Sequence, residues 1–154
     1  MASEVPRVEA LIGSAFPKKA LELIQNCKKS IRILVFDWRW YPSEPHSPNQ
    51  LFNTAIVSAH RRHVDVRALV NLSGAVEALQ SLGVPVKKVF SKDLLHAKVL
   101  IIDDNIAIIG SHNYTKSAFE KNFECSVLID DPQAVSDFIN YFEVIYNYNG
   151  SSKS

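Results

Sequence analysis

LLHAKVLIIDDNIAIIGSHNY, residues Leu94–Tyr114, holds two aliphatic runs, Val99–Ile102 and Ile106–Ile109, separated by Asp103, Asp104 and Asn105. Turn-forming residues between two apolar runs are the signature of a tight β-hairpin. A two-residue turn at Asp104-Asn105 sets Asp103 opposite Ile106 and Leu100 opposite Ile109. It also sets Lys98 opposite Ser111 and His96 opposite Asn113. Side chains alternate along a strand, and residues directly opposite each other share a face. His96, Lys98, Ser111 and Asn113 then form a polar cluster at the open end of the hairpin. A one-residue slip in register would scatter it. Asp103 has the other parity and lies about 23 Å from His96, at about 3.3 Å per residue. It reads as a turn residue.

Around the hairpin, strands and helices alternate. Val8–Ile12 reads as a short strand. Pro17 suits the start of a helix carrying Ala20, Leu23, Ile24 and Cys27. Ser30–Trp38 is a strand. Ser47-Pro48-Asn49-Gln50 resembles a capping box with Pro at the first helical position, and the helix that follows to about Arg62 buries Leu51, Ala55, Ile56 and Ala59. Val64–Val70 is the next strand. Ser73 is placed to cap a helix with Val76, Leu79 and Leu82, closed by Gly83. Val84–Phe90, interrupted by Pro85, fits an edge strand. A short helix near Thr115–Lys121, a strand Phe123–Ile129 and a helix from Asp131-Pro132 complete the chain, the last with Ala134, Phe138, Tyr141, Phe142 and Ile145 on one face. The expected class is α/β: a mixed β-sheet flanked by helices on both faces.

The chain has 154 residues, 47% of them hydrophobic and 21% charged, enough for one domain over 1–154 with an ordered core of about 8–147. Net charge is +1, so an anion site has to come from local placement of Lys and Arg, not from a basic excess. Cys27 and Cys125 read as buried small hydrophobes, not as a disulfide. There is no apolar signal-like stretch near the start and no run of the ~18–20 residues that a membrane span needs. The expected location is cytoplasmic.

The hairpin cluster has a chemical logic. A neutral imidazole can attack an electrophile, and a lysine and an asparagine can bind oxygens bearing negative charge. No Cys or second His lies nearby at metal-ligand spacing. The set suits attack on phosphorus without metal or cofactor, where positioning and charge stabilisation supply most of the catalysis. Glu124 or Asn122, at the start of the next apolar strand, can join the cluster. A carboxylate beside His96 would fix its tautomer. The leaving oxygen also needs a proton, which a two-fold homodimer would supply through a second His96.

His96-x-Lys98, Asp103 after four further residues, then Gly110-Ser111-x-Asn113 after six, with Asn122-x-Glu124 behind, resembles the HKD motif of the phospholipase D superfamily. The order of strands and helices resembles the small bacterial nucleases of that family. The resemblance implies a two-step displacement on a phosphodiester. His96 is the nucleophile, forming a phosphohistidine, and His96 of a second copy serves as acid and then base. Lys98 and Asn113 hold phosphoryl oxygens, Ser111 supports the site and Glu124 orients His96. One motif per chain implies a homodimer with a composite site. Asp103 and Gly110 are structural positions of the motif.

The expected activity is a nuclease acting on DNA or RNA. A phospholipase acting on lipid headgroups, and a nucleic-acid-binding module with little turnover, stay open. In Phe36-Asp37-Trp38-Arg39-Trp40-Tyr41, Arg39 and Trp40 are candidate substrate contacts, through phosphate and base stacking; packing of the tryptophans in a core or dimer interface is the competing reading. Asn122 is a further candidate contact. His112 reads as packing or surface. His60 and His63 read as a solvated basic helix end. Lys87, Lys88 and Lys92 either grip a polyanion or guard an edge strand.

Overall fold

The computed structural model describes residues 5–151. Its elements are β1 (Val8–Ile12), α1 (Ala15–Asn26), β2 (Ser30–Trp38), α2 (Pro48–Arg61), β3 (Asp65–Ser73), α3 (Val76–Ser81), β4 (Val86–Lys88), β5 (Val99–Ile102), β6 (Ile106–Gly110), α4 (Lys116–Glu120), β7 (Cys125–Ile129) and α5 (Pro132–Ser151). The strands form one seven-stranded sheet in the order β1-β7-β6-β5-β2-β3-β4. β2, β3 and β4 are parallel, and the other pairings are antiparallel. The expected mixed sheet with helices on both faces is what forms.

The two faces are covered unequally. Phe16, Ala20 and Ile24 of α1 and Phe52, Ile56 and Ala59 of α2 pack on one face with residues of α3 and α4. The other face is covered by α5, through Val135, Phe142 and Tyr146. β5 lies mid-sheet, and all four of its residues are buried. Leu100 and Ile102 enter the first core, and Val99 and Ile101 the second. A strand buried on both faces needs apolar residues at every position, which explains the unbroken run Val-Leu-Ile-Ile.

The hairpin turn is one residue longer than expected. Ile102 pairs with Ile106 and Leu100 with Ile108, so Asp103–Asn105 form a three-residue connection. Asp103 and Asp104 both adopt positive φ, 53° and 61°. The reason is tertiary. Asp103 Oδ1 accepts from the backbone N–H groups of Lys28, Lys29 and Ser30, tying the turn to the loop between α1 and β2. Burial pushes the Asp104 carboxyl upward, but bonds from Lys29, Arg32 and Ser30 outweigh it and hold its pKa near 2.

Other boundaries also move. α1 starts at Ala15 with Ser14 at its N-cap, which leaves Pro17 inside the first turn, where its missing N–H is still harmless. Ser47 caps α2 by accepting from Gln50 N. The Gln50 side chain does not close the box: its Oε1 takes Tyr41 N and Asn53 Nδ2. Phe52 fills the core position expected of Leu51, which stands at the surface. β3 runs on to Ser73, and Ala75 becomes the N-cap of α3. Leu82 lies past the end of α3 and is exposed, and Gly83 follows at φ 84°. β4 keeps only Val86–Lys88 of the expected edge strand. β7 starts at Cys125, not Phe123, and its pattern turns Ser126 and Leu128 inward. Cys125 is therefore exposed, unlike the buried Cys27. Tyr141, expected on the buried face of α5, points to solvent.

Candidate functional site

The site lies where β2 ends. Residues 94–98 run up to β5 outside the ladder, anchored by Leu95 N–H donating to Asn71 Oδ1 of β3 at 2.9 Å. Leu95 is buried, which turns its neighbour His96 outward. The His96 ring lies 5.1 Å, centroid to centroid, from Phe36 of β2. Lys98 Nζ is 3.4 Å from both ring nitrogens of His96 and 5.6 Å from the Phe36 centroid. Burial pushes the Lys98 ammonium below its ordinary pKa, and the Glu124 carboxylate opposes that. An imidazole and a partly desolvated cation thus share one aromatic platform, beside a nearby anion.

Ser111 is fixed from the other side. Its hydroxyl donates to Glu124 Oε1 at 2.6 Å and accepts from Cys125 N–H at 3.0 Å. Asn122 Nδ2 donates to the second oxygen, Glu124 Oε2, at 3.0 Å. Glu124 therefore meets Ser111 and Asn122 rather than His96, and in this structure it holds the serine instead of setting the imidazole tautomer. Gly110 makes this approach possible. A Cβ there would stand 2.5 Å from the Cys125 carbonyl oxygen and closer still to Ser126. Only glycine lets β6 lie so close to β7 at the point where the chain leaves the sheet.

The longer turn changes how these residues meet. Lys98 falls opposite Gly110, with Gly110 N–H donating to Lys98 O at 3.4 Å, and not opposite Ser111. The expected face-sharing square is absent. Instead, the chain leaves the ladder after Gly110 and crosses to β2. Tyr114 N–H donates to Asp37 O, Arg39 N–H donates to Tyr114 O, and Tyr114 bridges Trp38. Asn113 Oδ1 accepts from Asp37 N–H at 3.1 Å. That leaves the Asn113 Nδ2 donors, which have no partner among the described residues. His96, Lys98 and Ser111 line one cleft of about 430 Å³ with Ala97, Ile109 and Tyr141. Asn113 sits beside Asp37, at the neighbouring end of β2.

The remaining candidates separate cleanly. His112 is buried, stacked on Phe16 at 4.5 Å and bonded to Ser126 Oγ and Gly13 O, so it is a packing residue. Trp38 is buried and donates from Nε1 to Asn53 Oδ1. Arg39 is half exposed and pairs with the Asp37 carboxylate at 2.7 Å, while Trp40 is half-buried beside it. Lys87 lies over the Tyr146 ring at 3.8 Å. Among the described residues no three His, Cys, Asp or Glu side chains are placed to hold a metal ion, the His60–His63 region included. Three site-shaping residues escaped sequence reading: Phe36 as a platform, Asp37 as the link between Asn113 and Arg39, and Asn71 as the anchor of the His96 segment. Phe36 and Asp37 lie in the aromatic stretch already singled out; a lone amide such as Asn71 carries no sequence signal.

A family profile described as the cardiolipin synthase, PLD-like domain matches residues 20–146. The chain belongs to the phospholipase D superfamily. Among curated relatives of that superfamily, a probable cardiolipin synthase, YwiE, of Bacillus subtilis is 29% identical over 79% of this chain and 25% of its own length. A mitochondrial cardiolipin hydrolase of Xenopus laevis is 27% identical over 86% of this chain and 61% of its own length. The chain thus spans a quarter to about three fifths of these relatives. Among solved structures, the phospholipase D family member Nuc of Salmonella typhimurium superposes with TM-score 0.77 at 27% identity, covering 93% of this chain and 95% of Nuc. NucT of Helicobacter pylori, at 20% identity and TM-score 0.74, shares the fold.

Proposed function

We propose that this chain is one half of a phosphodiesterase that cleaves nucleic acid through a phosphohistidine intermediate. The observation that carries the reading is the solvent-facing His96 held against Lys98 and Phe36, in one cleft with the Glu124-supported Ser111. In the first step a His96 ring nitrogen attacks phosphorus. A P–N bond forms, the P–O bond to the leaving group breaks, and the leaving oxygen takes a proton from the second copy's His96. In the second step that imidazole removes a proton from water. The hydroxide attacks phosphorus, the P–N bond breaks, and His96 is regenerated. The Lys98 ammonium neutralises charge on the phosphoryl oxygens, and the Asn113 Nδ2 donors hydrogen-bond to them where charge accumulates. The same balance of steps is open to a lipid phosphodiester.

In a homodimer the second histidine comes from the other copy, and α5 offers the face for it. Tyr141, Val144 and Tyr148 follow the i, i+3, i+7 spacing of one helical stripe and are 55%, 69% and 63% exposed. Tyr141 also walls the His96 cleft. An apolar stripe continuous with an incomplete site suits a homodimer in which α5 of each copy faces the other.

The nuclease reading is supported by the near end-to-end match with Nuc and by the family resemblance of the motif order. A second reading, hydrolysis of a phospholipid headgroup, is favoured by the cardiolipin synthase and hydrolase relatives. Single-stranded DNA, RNA and cardiolipin vesicles, assayed side by side in chelator, separate the two. On the true substrate, His96→Asn is expected to lose on the order of 10³-fold or more in turnover. It should also lose an acid-labile, alkali-stable phosphoryl adduct that the unmodified protein forms. Cleavage retained by His96→Asn would sink the histidine mechanism.

A further inference from the structure

Beyond Asn113, on the side away from α5, β2 ends in a second open cleft of about 480 Å³. Arg39, Trp40, Tyr41, Lys116 and Lys121 line it together with Asp37. The proposed chemistry uses none of these side chains. Three of its eight lining residues are cations, in a chain whose net charge is only +1.

The groups are held in place. Arg39 Nε and Nη2 are bonded to the Asp37 carboxylate, at 2.7 and 3.2 Å, while Nη1 has no hydrogen-bond partner among the described residues. The Tyr41 hydroxyl accepts from Lys116 N–H at 2.7 Å, fixing the aromatic loop against α4. Lys116 pairs with Glu44. The Lys121 ammonium, exposed, has no hydrogen-bond or ion-pair partner among the described residues. Trp40 lies among these cations with part of its surface open.

The cleft is also tied to the reaction centre. Asp37 N–H holds Asn113, and two residues further along Arg39 N–H is bonded to Tyr114 O. Two residues of extended chain span about 6.6 Å. That distance is of the order of one nucleotide's reach from a phosphate held by Asn113. Cations beside an aromatic face are what a single nucleic-acid strand asks of a protein: charge for the backbone and a π-surface for the base.

We propose that this cleft binds the nucleotide adjoining the scissile phosphate, with Arg39 and Lys121 on its phosphate and Trp40 under its base. The inference rests on the nuclease reading and deepens it, since it predicts a requirement for a second phosphate in the same strand. The test compares two substrates with the same p-nitrophenyl leaving group: a mononucleotide ester with one phosphate, and a trinucleotide carrying the ester at one end. The full chain should turn over the trinucleotide with the higher kcat/KM. In Lys121→Gln and Arg39→Gln the loss on the trinucleotide should exceed the loss on the one-phosphate ester by about tenfold each. Replacing the neighbouring phosphate by an uncharged methylphosphonate should reproduce that loss in the unmodified protein and cost the variants little more. Trp40→Ala should show a similar differential loss, whichever phosphate is neutralised.

Equal losses on both substrates, or none on either, would overturn the subsite while leaving the nuclease reading standing. A protein that hydrolyses cardiolipin vesicles but neither nucleotide substrate would overturn both.

Discussion

Two histidines sixteen residues apart, His96 and His112, lie in the same motif stretch and have opposite fates. His96 is exposed and reaches Lys98 and Phe36. His112 is 1% exposed, and its two ring nitrogens are used by Ser126 Oγ and Gly13 O. Burial pushes the His112 pKa below the ordinary histidine value, against the opposing pull of the Gly13 carbonyl and Glu124. A neutral ring donating from Nε2 and accepting at Nδ1 satisfies both bonds. As pH falls through about 6.5 the unfolded chain takes up this proton while the folded chain resists it, so folding weakens on the acid side. His112→Leu should cost about 2–4 kcal/mol by urea unfolding, through two lost bonds and a lost stack, and should remove that part of the acid-side weakening. Turnover per folded molecule should stay within a few-fold. A large drop in kcat at unchanged stability would instead place His112 in the chemistry.

At the scale of elements, the turn of the β5–β6 hairpin does more than connect two strands. Asp103 takes three backbone N–H groups of the α1–β2 loop, from Lys28, Lys29 and Ser30. Removing the acceptor orphans all three, and a Cβ-branch-free alanine at φ 53° also keeps the left-handed strain. Asp103→Ala is therefore expected to lower stability by about 2–4 kcal/mol, whereas Asp103→Asn, which keeps one acceptor oxygen and tolerates positive φ, should lose less than half of that. Both should retain kcat in the folded fraction. Loss of activity without loss of stability in Asp103→Ala would show that the aspartate takes part in the reaction. The same turn shows where sequence reading runs out. The aliphatic runs on either side, the Ser30–Trp38 strand and the Ser47 cap were legible because periodicity and caps are local. Turn length was not, because it depends on amides 73 to 75 residues away in the chain. The site divides in the same way. His96, Lys98 and Ser111, which line one cleft, were legible from their spacing, whereas the face-sharing square with Asn113 rested on a two-residue turn that the structure does not have. The choice of Glu124 to hold Ser111, and of Asn113 to hold Asp37, is made in space, where β7 pairs with β6 and the chain after Gly110 crosses to the end of β2.

For the whole molecule, the unequal cover of the sheet matters most. Four helices pack on one face and α5 alone on the other, and α5 keeps Tyr141, Val144 and Tyr148 exposed on its outer side. Phe138 and Tyr141 of that helix wall the cleft that holds His96, Lys98 and Ser111. If a second copy covers this stripe, assembly and catalysis are one equilibrium: dilution that separates the copies removes the proton donor from each site. Specific activity of the full chain should then fall on dilution in step with the loss of dimer, followed by sedimentation or light scattering. Val144→Asp places a charge at the centre of the stripe without touching the His96 cleft. It should give a folded monomer whose activity is lower by at least about a hundredfold, the desolvation cost of a buried unpaired carboxylate being several kcal/mol. Mixing should discriminate further. A Val144→Asp chain has an intact His96 and an intact fold, so raising its concentration should restore activity only as far as it restores dimer. A monomeric Val144→Asp protein with full activity would remove both the α5 interface and the need for a second histidine, and would leave the leaving-group proton to be supplied from within one chain.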